Sequence, residues 1–139
     1  MEDLQKLPLR LGVGIVLLNH ENKVFVGKRI DNPNNFWQMP KGGVDRNEEL
    51  LDAAKRELEE ETSIKSVKFL GEVNGWLQYN LPQNLLGKEN EINIKTKKPE
   101  FSHWKWISSS ELPKVVVDFK VNIYQIIADQ IQLNYKQSL

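Results

Sequence analysis

Within five residues near the middle of the chain stand four glutamates, Glu57, Glu59, Glu60 and Glu61. On a helix, Glu57, Glu60 and Glu61 fall at i, i+3 and i+4, so their carboxylates share one face with Cβ atoms about 5–6 Å apart. Like charges at that spacing destabilise a helix by a few tenths of a kcal/mol per pair, and acidic residues near a helix C-terminus oppose its dipole. A chain shaped only for stability would carry lysine there. Hard oxygen donors are what Mg²⁺ or Mn²⁺ prefers, and such ions bind through a few carboxylates together with waters and substrate phosphates. The cluster therefore suits a metal site that handles phosphate. An acidic run on an arbitrary helix is more often a solvated face, so the surrounding residues must decide between the two.

The elements that position this cluster follow from the apolar pattern. Leu50, Leu51, Ala54 and Leu58 repeat at three- and four-residue intervals and predict a helix over residues 47–61, with Asn47 as N-cap and Glu48 and Glu49 at its positive end. Before it, Leu11 to Leu18 and Lys23 to Gly27 are Val- and Ile-rich and flank the turn residues Asn19 to Asn22, which predicts a hairpin. Phe36 to Met39 is a short extended piece, and a sharp turn is expected at Pro40-Lys41-Gly42-Gly43. After the helix, Val67 to Leu81 reads as strand, Asn74-Gly75 turn and strand. Ile92 to Ile94 and His103 to Ile107 are expected as further short strands, the latter with Trp104 and Trp106 on one face. Ser108 to Ser110 starts a short helical turn that Pro113 disturbs, and Val117 to Tyr135 carries a helical apolar stripe. The fold class expected is α+β, a mixed β-sheet covered by helices.

With 139 residues the chain suits a single domain, 1–139, with its own core. Lysine plus arginine and aspartate plus glutamate both number 19, so no global field draws the molecule onto nucleic acid or membrane. The absence of cysteine excludes thiol catalysis, thiolate zinc sites and disulfides, and makes the cytoplasm the expected location. Leu11 to Leu18 is too short to span a bilayer, and nothing calls for an obligate protein partner. His20 falls in a predicted turn and His103 between aromatics, and both are read as structural.

From Gly42 to Ile64 the spacing is that of a known signature. Gly42, Glu48, Arg56-Glu57, Leu58, Glu60-Glu61 and Ile64 stand in register with the box of the Nudix family, and the chain resembles that family. The one departure is Ser63, where the family has glycine, and it is expected to strain a left-handed C-cap. The resemblance implies an α/β/α sandwich with the mixed sheet between helices. It also implies that Glu57, Glu60 and Glu61 bind Mg²⁺ or Mn²⁺ with the carbonyl of Gly42, while Glu48 and Arg56 brace loop and helix. Such metals neutralise phosphate charge and activate a water for in-line displacement.

Outside the box the chain resembles bacterial RNA pyrophosphohydrolases and dinucleoside polyphosphate hydrolases. The matching pieces are Arg10-Leu-Gly-Val-Gly, Trp37-Gln-Met-Pro-Lys-Gly-Gly, Trp76-Leu-Gln-Tyr79 with Leu81-Pro82, Pro99 to Trp106 and Val117-Asp-Phe-Lys120. By that resemblance Glu100 is a further metal ligand or general base. Arg10, Lys28, Arg29, Lys41 and Lys120 face phosphates, and Phe119 stacks on a base. Taken singly, Lys28, Arg29 and Lys120 are equally surface charges, and Phe119 equally core. The implied substrates are 5′-triphosphorylated RNA or a dinucleoside polyphosphate such as diadenosine tetraphosphate. Sanitising of damaged nucleoside triphosphates and metal-independent sensing on a Nudix fold are the other readings. Members of this type carry a basic stretch and an apolar strand after the Leu-Pro segment, whereas here Leu86-Gly87-Lys88 runs into Glu89-Asn90-Glu91. Loss of a central strand would leave unpaired edges. Either that segment lies outside this sequence, which is the expectation, or the sheet closes differently.

Overall fold

The computed structural model describes residues 12–31, 36–73, 76–80, 92–97, 99–115 and 121–138. Its strands are β1 (Gly12–Leu18), β2 (Val24–Arg29), β3 (Trp37–Gln38), β4 (Lys41–Gly43), β5 (Lys68–Val73), β6 (Trp76–Asn80) and β7 (Phe101–Ile107). Helix α1 spans Leu50–Thr62, a 3₁₀ turn spans Ser109–Lys114 with Pro113 inside it, and helix α2 spans Val121–Ser138. The sheet order is β3-β2-β1-β6-β5, with β4 also paired to β1 and β7 to β2.

Alternation along β1 creates two cores. Val13, Ile15 and Leu17 point to one face and pack with Ala53, Ala54 and Leu58 of α1. Val16 and Leu18 point to the other and pack with Tyr124, Ile127, Ala128 and Ile131 of α2. Burying aliphatic side chains of this size stabilises by about 1.5–3 kcal/mol each, so both helices are fixed to one central strand. The sheet thus lies between helices, as expected. Tyr124 ties the second layer down further: its hydroxyl accepts from the buried Met39 N–H at 2.8 Å.

The β1 and β2 hairpin forms around Asn19, whose side-chain oxygen accepts from the N–H groups of Glu21 and Lys23, both at 2.9 Å. The strands pair antiparallel at Leu18 and Val24; β1 then pairs with β4 and β6 and β2 with β3 and β7.

Three expectations are corrected. Lys41-Gly42-Gly43 is a strand rather than a sharp turn, and it lies antiparallel against β1 with Gly42 opposite Val13 and Gly43 opposite Gly12. The helix starts at Leu50 with Glu49 as N-cap, not at Asn47, which takes a left-handed φ of 67° in the loop. Ile92 to Ile94 forms no strand; the Asn93 N–H donates to the Thr62 carbonyl at 2.8 Å, so this piece is tied to the end of α1 instead of the sheet. Strand β6 pairs parallel with β1 from Gly14 to Leu18, so β1 lies inside the described sheet. The junction between Lys88 and Glu89 lies outside the described residues, as does the Asn74-Gly75 turn.

Candidate functional site

Helix α1 and strands β1, β2 and β4 converge on an open cleft of about 490 Å³ lined by Gly12, Arg29, Lys41, Gly42, Gly43, Glu57, Glu61 and Glu100. The β4 ladder brings Gly42 against α1. A Cβ at Gly42 would overlap the carboxylate of Glu57, so only glycine lets the main chain come this near the acidic face. Glu100 immediately precedes β7 and reaches the cleft from the opposite side, with its carbonyl accepting from the Ile30 N–H at 2.9 Å.

Arg56 organises the approach of loop to helix. Its Nε and Nη2 donate to the two Glu48 carboxylate oxygens, each at 2.9 Å. Nη2 also donates to the Gly43 carbonyl at 2.8 Å, and Nη1 to Glu57 Oε1 at 2.9 Å. One planar guanidinium thus joins the loop after β4, the entry of α1 and a cleft carboxylate, a fork that lysine cannot reproduce. These partners raise the Arg56 pKa above its ordinary value, the hydrogen bonds it donates to Glu48 first among them.

The cleft carboxylates are partly withdrawn from water and repel one another. Burial pushes the Glu57 carboxyl up against the downward pull of Arg56, and Glu60 and Glu100 push the same way. Glu61 is only 5% exposed, and its Oε2 is buried with no hydrogen-bond partner. Burial, followed by repulsion from Glu57 and Glu100, pushes it up to about 8, with Arg29 pulling against them. An orphaned buried carboxylate oxygen facing other carboxylates is the environment a bound cation would relieve. Among the described residues no cluster of acidic or histidine side chains closes a metal cage by itself.

The predicted residues divide accordingly. Glu57, Glu61, Glu100, Gly42, Lys41 and Arg29 come together at the cleft. Glu60 does not line it; its side chain is 57% exposed and sits 3.4 Å from Arg56. Lys28 does not line it either, whereas Glu48 and Arg56 stand behind it as a bidentate pair. Arg10, Phe119 and Lys120 lie outside the described residues. Sequence reasoning did not single out Asp31, which binds Arg29 through both carboxylate oxygens at 2.8 and 2.9 Å. The signal available was its place two residues beyond an arginine, at the end of a strand. Asp45, 3.5 Å from Arg56, was also missed.

Ser63 adopts the left-handed conformation in which the family has glycine, with φ 67° and its N–H on the Glu59 carbonyl. Its hydroxyl donates to the Asn93 carbonyl at 2.9 Å. The expected strain is real in φ, and a side-chain bond that glycine cannot make accompanies it.

The family model described as NUDIX domain matches residues 8–127. A protein of Pelagibacter ubique named RNA pyrophosphohydrolase is 52% identical, the match covering 91% of this chain and 93% of that protein. Its alignment runs over 147 residues, more than the 139 of this chain, so that relative carries residues with no counterpart here. A Bartonella henselae protein of the same name is 36% identical, covering 96% of each chain. Among solved structures, a C. elegans Ap4A hydrolase binary complex superposes with a TM-score of 0.65 at 18% identity, covering 89% of this chain and 98% of that one. At that identity the likeness speaks for the fold alone.

Proposed function

The chain belongs to the Nudix family, and from that membership we propose that it is a metal-dependent RNA pyrophosphohydrolase, removing pyrophosphate or phosphate from the 5′-triphosphate end of RNA. The observation that carries the substrate is the 52% identity, over nearly the whole of both chains, to a protein named for that activity. The chemistry is supported by the cleft, in which buried carboxylates face the cations Arg29 and Lys41. A neutral net charge agrees with recognition of an end rather than a long stretch of polyanion.

Glu57, Glu61 and the carbonyl of Gly42 would hold the metal, with Glu60 at the rim joining through a rotation of its exposed side chain. When bound, Mg²⁺ or Mn²⁺ neutralises phosphate charge and lowers the pKa of a coordinated water. Arg29 and Lys41 bind non-bridging phosphate oxygens, which orients the anhydride and stabilises the charge that develops on it. Glu100, 41% exposed and at the mouth of the cleft, accepts the proton of the attacking water. The water oxygen bonds to phosphorus, the anhydride P–O bond breaks, and its electron pair leaves with the departing phosphate group. Arg10 and Lys120 as further phosphate contacts and Phe119 as a stacking surface rest on the resemblance alone. Among the described residues no helix is long and apolar enough to cross a membrane; a cytoplasmic site of action goes with this reading.

The test is Mg²⁺-dependent release of phosphate or pyrophosphate from 5′-triphosphorylated RNA beside diadenosine tetraphosphate at matched concentrations. A higher kcat/KM on RNA is expected. A higher value on the dinucleotide would overturn the RNA reading in favour of dinucleoside polyphosphate hydrolysis, and metal-independent binding without turnover would make the protein a sensor.

A further inference from the structure

Arg29 is the last residue of β2, and the pairing of β2 with β7 shifts just before it. Lys28 lies opposite His103 and Arg29 opposite Phe101, so Ser102 is passed over. Such irregularities re-aim side chains at strand ends, and here the arginine turns into the cleft beside Glu57, Glu61 and Glu100. Its guanidinium is held from outside the cleft. Nε and Nη2 donate to the two oxygens of Asp31 at 2.8 and 2.9 Å, and Nη2 lies 3.4 Å from Glu100 Oε2. Asp31 itself does not line the cleft, and its side chain is 67% exposed. An ion pair this exposed adds little to stability. A bidentate fork does fix the plane of a guanidinium, and it occupies the Nε edge while leaving the Nη1 edge for another anion.

We propose that Asp31 is a positioning residue for the substrate: it clamps Arg29 so that the Nη1 edge meets a non-bridging oxygen of the polyphosphate. The identity of that anion rests on the function proposed above; the clamp does not. Without Asp31, the arginine is free to swing onto Glu100 alone, and ordering it again weakens polyphosphate binding. Simple charge counting gives the opposite sign, because removal of an acidic residue near the cleft should strengthen the binding of an anion. The sign of the effect therefore separates orientation from bulk electrostatics.

The experiment compares wild type, Asp31→Ala, Arg29→Ala and the double variant in Mg²⁺-dependent turnover of 5′-triphosphorylated RNA and of diadenosine tetraphosphate. Asp31→Ala is expected to raise KM about tenfold with kcat changed less than about twofold, the pattern of lost binding rather than lost chemistry. In the Arg29→Ala background it is expected to add nothing, since Asp31 acts through Arg29. Asp31→Asn, which keeps one acceptor, should fall between. In the metal-free protein without substrate, the Arg29 Nε–H should give a slowly exchanging NMR resonance that Asp31→Ala abolishes. A KM that falls or stays constant, an Asp31→Ala effect undiminished in the Arg29→Ala background, or an Arg29 Nε–H that exchanges as fast as a free side chain would each overturn the proposal. Failure of the wild type on RNA alone would instead overturn the substrate reading, with the cycle then read on the dinucleotide and the clamp on the resonance.

Discussion

Glu61 is the residue at which folding and function conflict most openly. It is buried, one of its oxygens has no hydrogen-bond partner, and burial with repulsion from Glu57 and Glu100 pushes its carboxyl from the ordinary 4.5 up to about 8. Between those values the metal-free native state holds a proton that the unfolded chain has already lost. Native stability is therefore fully present below the unfolded value and falls as pH rises through that window. Glu61→Gln should flatten this dependence and, at pH 8, exceed the metal-free wild type by an amount on the order of a few kcal/mol. Urea denaturation in chelator from pH 5 to pH 9 checks it, and an unchanged slope in the variant would place the effect elsewhere. The type and spacing of these glutamates were legible in the sequence. What was not legible is that Glu57 and Glu61 enter the cleft while Glu60 stays at the rim, because that depends on which side of α1 faces β4.

Among the elements, α1 shows what spacing can and cannot tell. Its apolar repeat fixed the buried stripe of Ala54 and Leu58, but its start was misplaced, since Asn47 takes a left-handed φ instead of capping. The Asp45 N–H bonding to Glu48 shapes that entry, and a loop held by Arg56 has no periodic signature. At the other end, Ser63 combines an unfavourable backbone conformation with a hydroxyl bond to Asn93. Ser63→Ala keeps the first and loses the second, and should destabilise by about 0.5–1.5 kcal/mol. Ser63→Gly relieves the φ, loses the bond and gains unfolded-state freedom, so its net change should be smaller, within about 0.5 kcal/mol. Thermal or urea unfolding of the two variants gives the order, and equal losses would mean that the hydroxyl contributes nothing. The turn expected at Pro40 to Gly43 failed for a related reason: glycines suit a close strand-to-strand ladder as well as a bend, and only the partner β1 decides.

At the scale of the whole molecule, a mixed sheet covered by helices was legible from the order of apolar runs and helical stripes, and the sandwich through the family resemblance; that β1 turns one side chain set to each helix layer appears only in the structure. The parallel pairing of β6 with β1 is a long-range contact that local pattern does not contain. The cleft is built from β4, α1 and the β2 and β7 ends, away from β5. The central claim is that this cleft runs metal-dependent hydrolysis through carboxylates kept at a cost to the free protein. The most direct measurement is Mg²⁺-dependent turnover of 5′-triphosphorylated RNA by wild type and Glu61→Gln, with chelator-treated stability measured on the same samples. The prediction is a variant at least as stable as wild type that has lost turnover by about a hundredfold or more. A folded Glu61→Gln protein with undiminished metal-dependent turnover would contradict it.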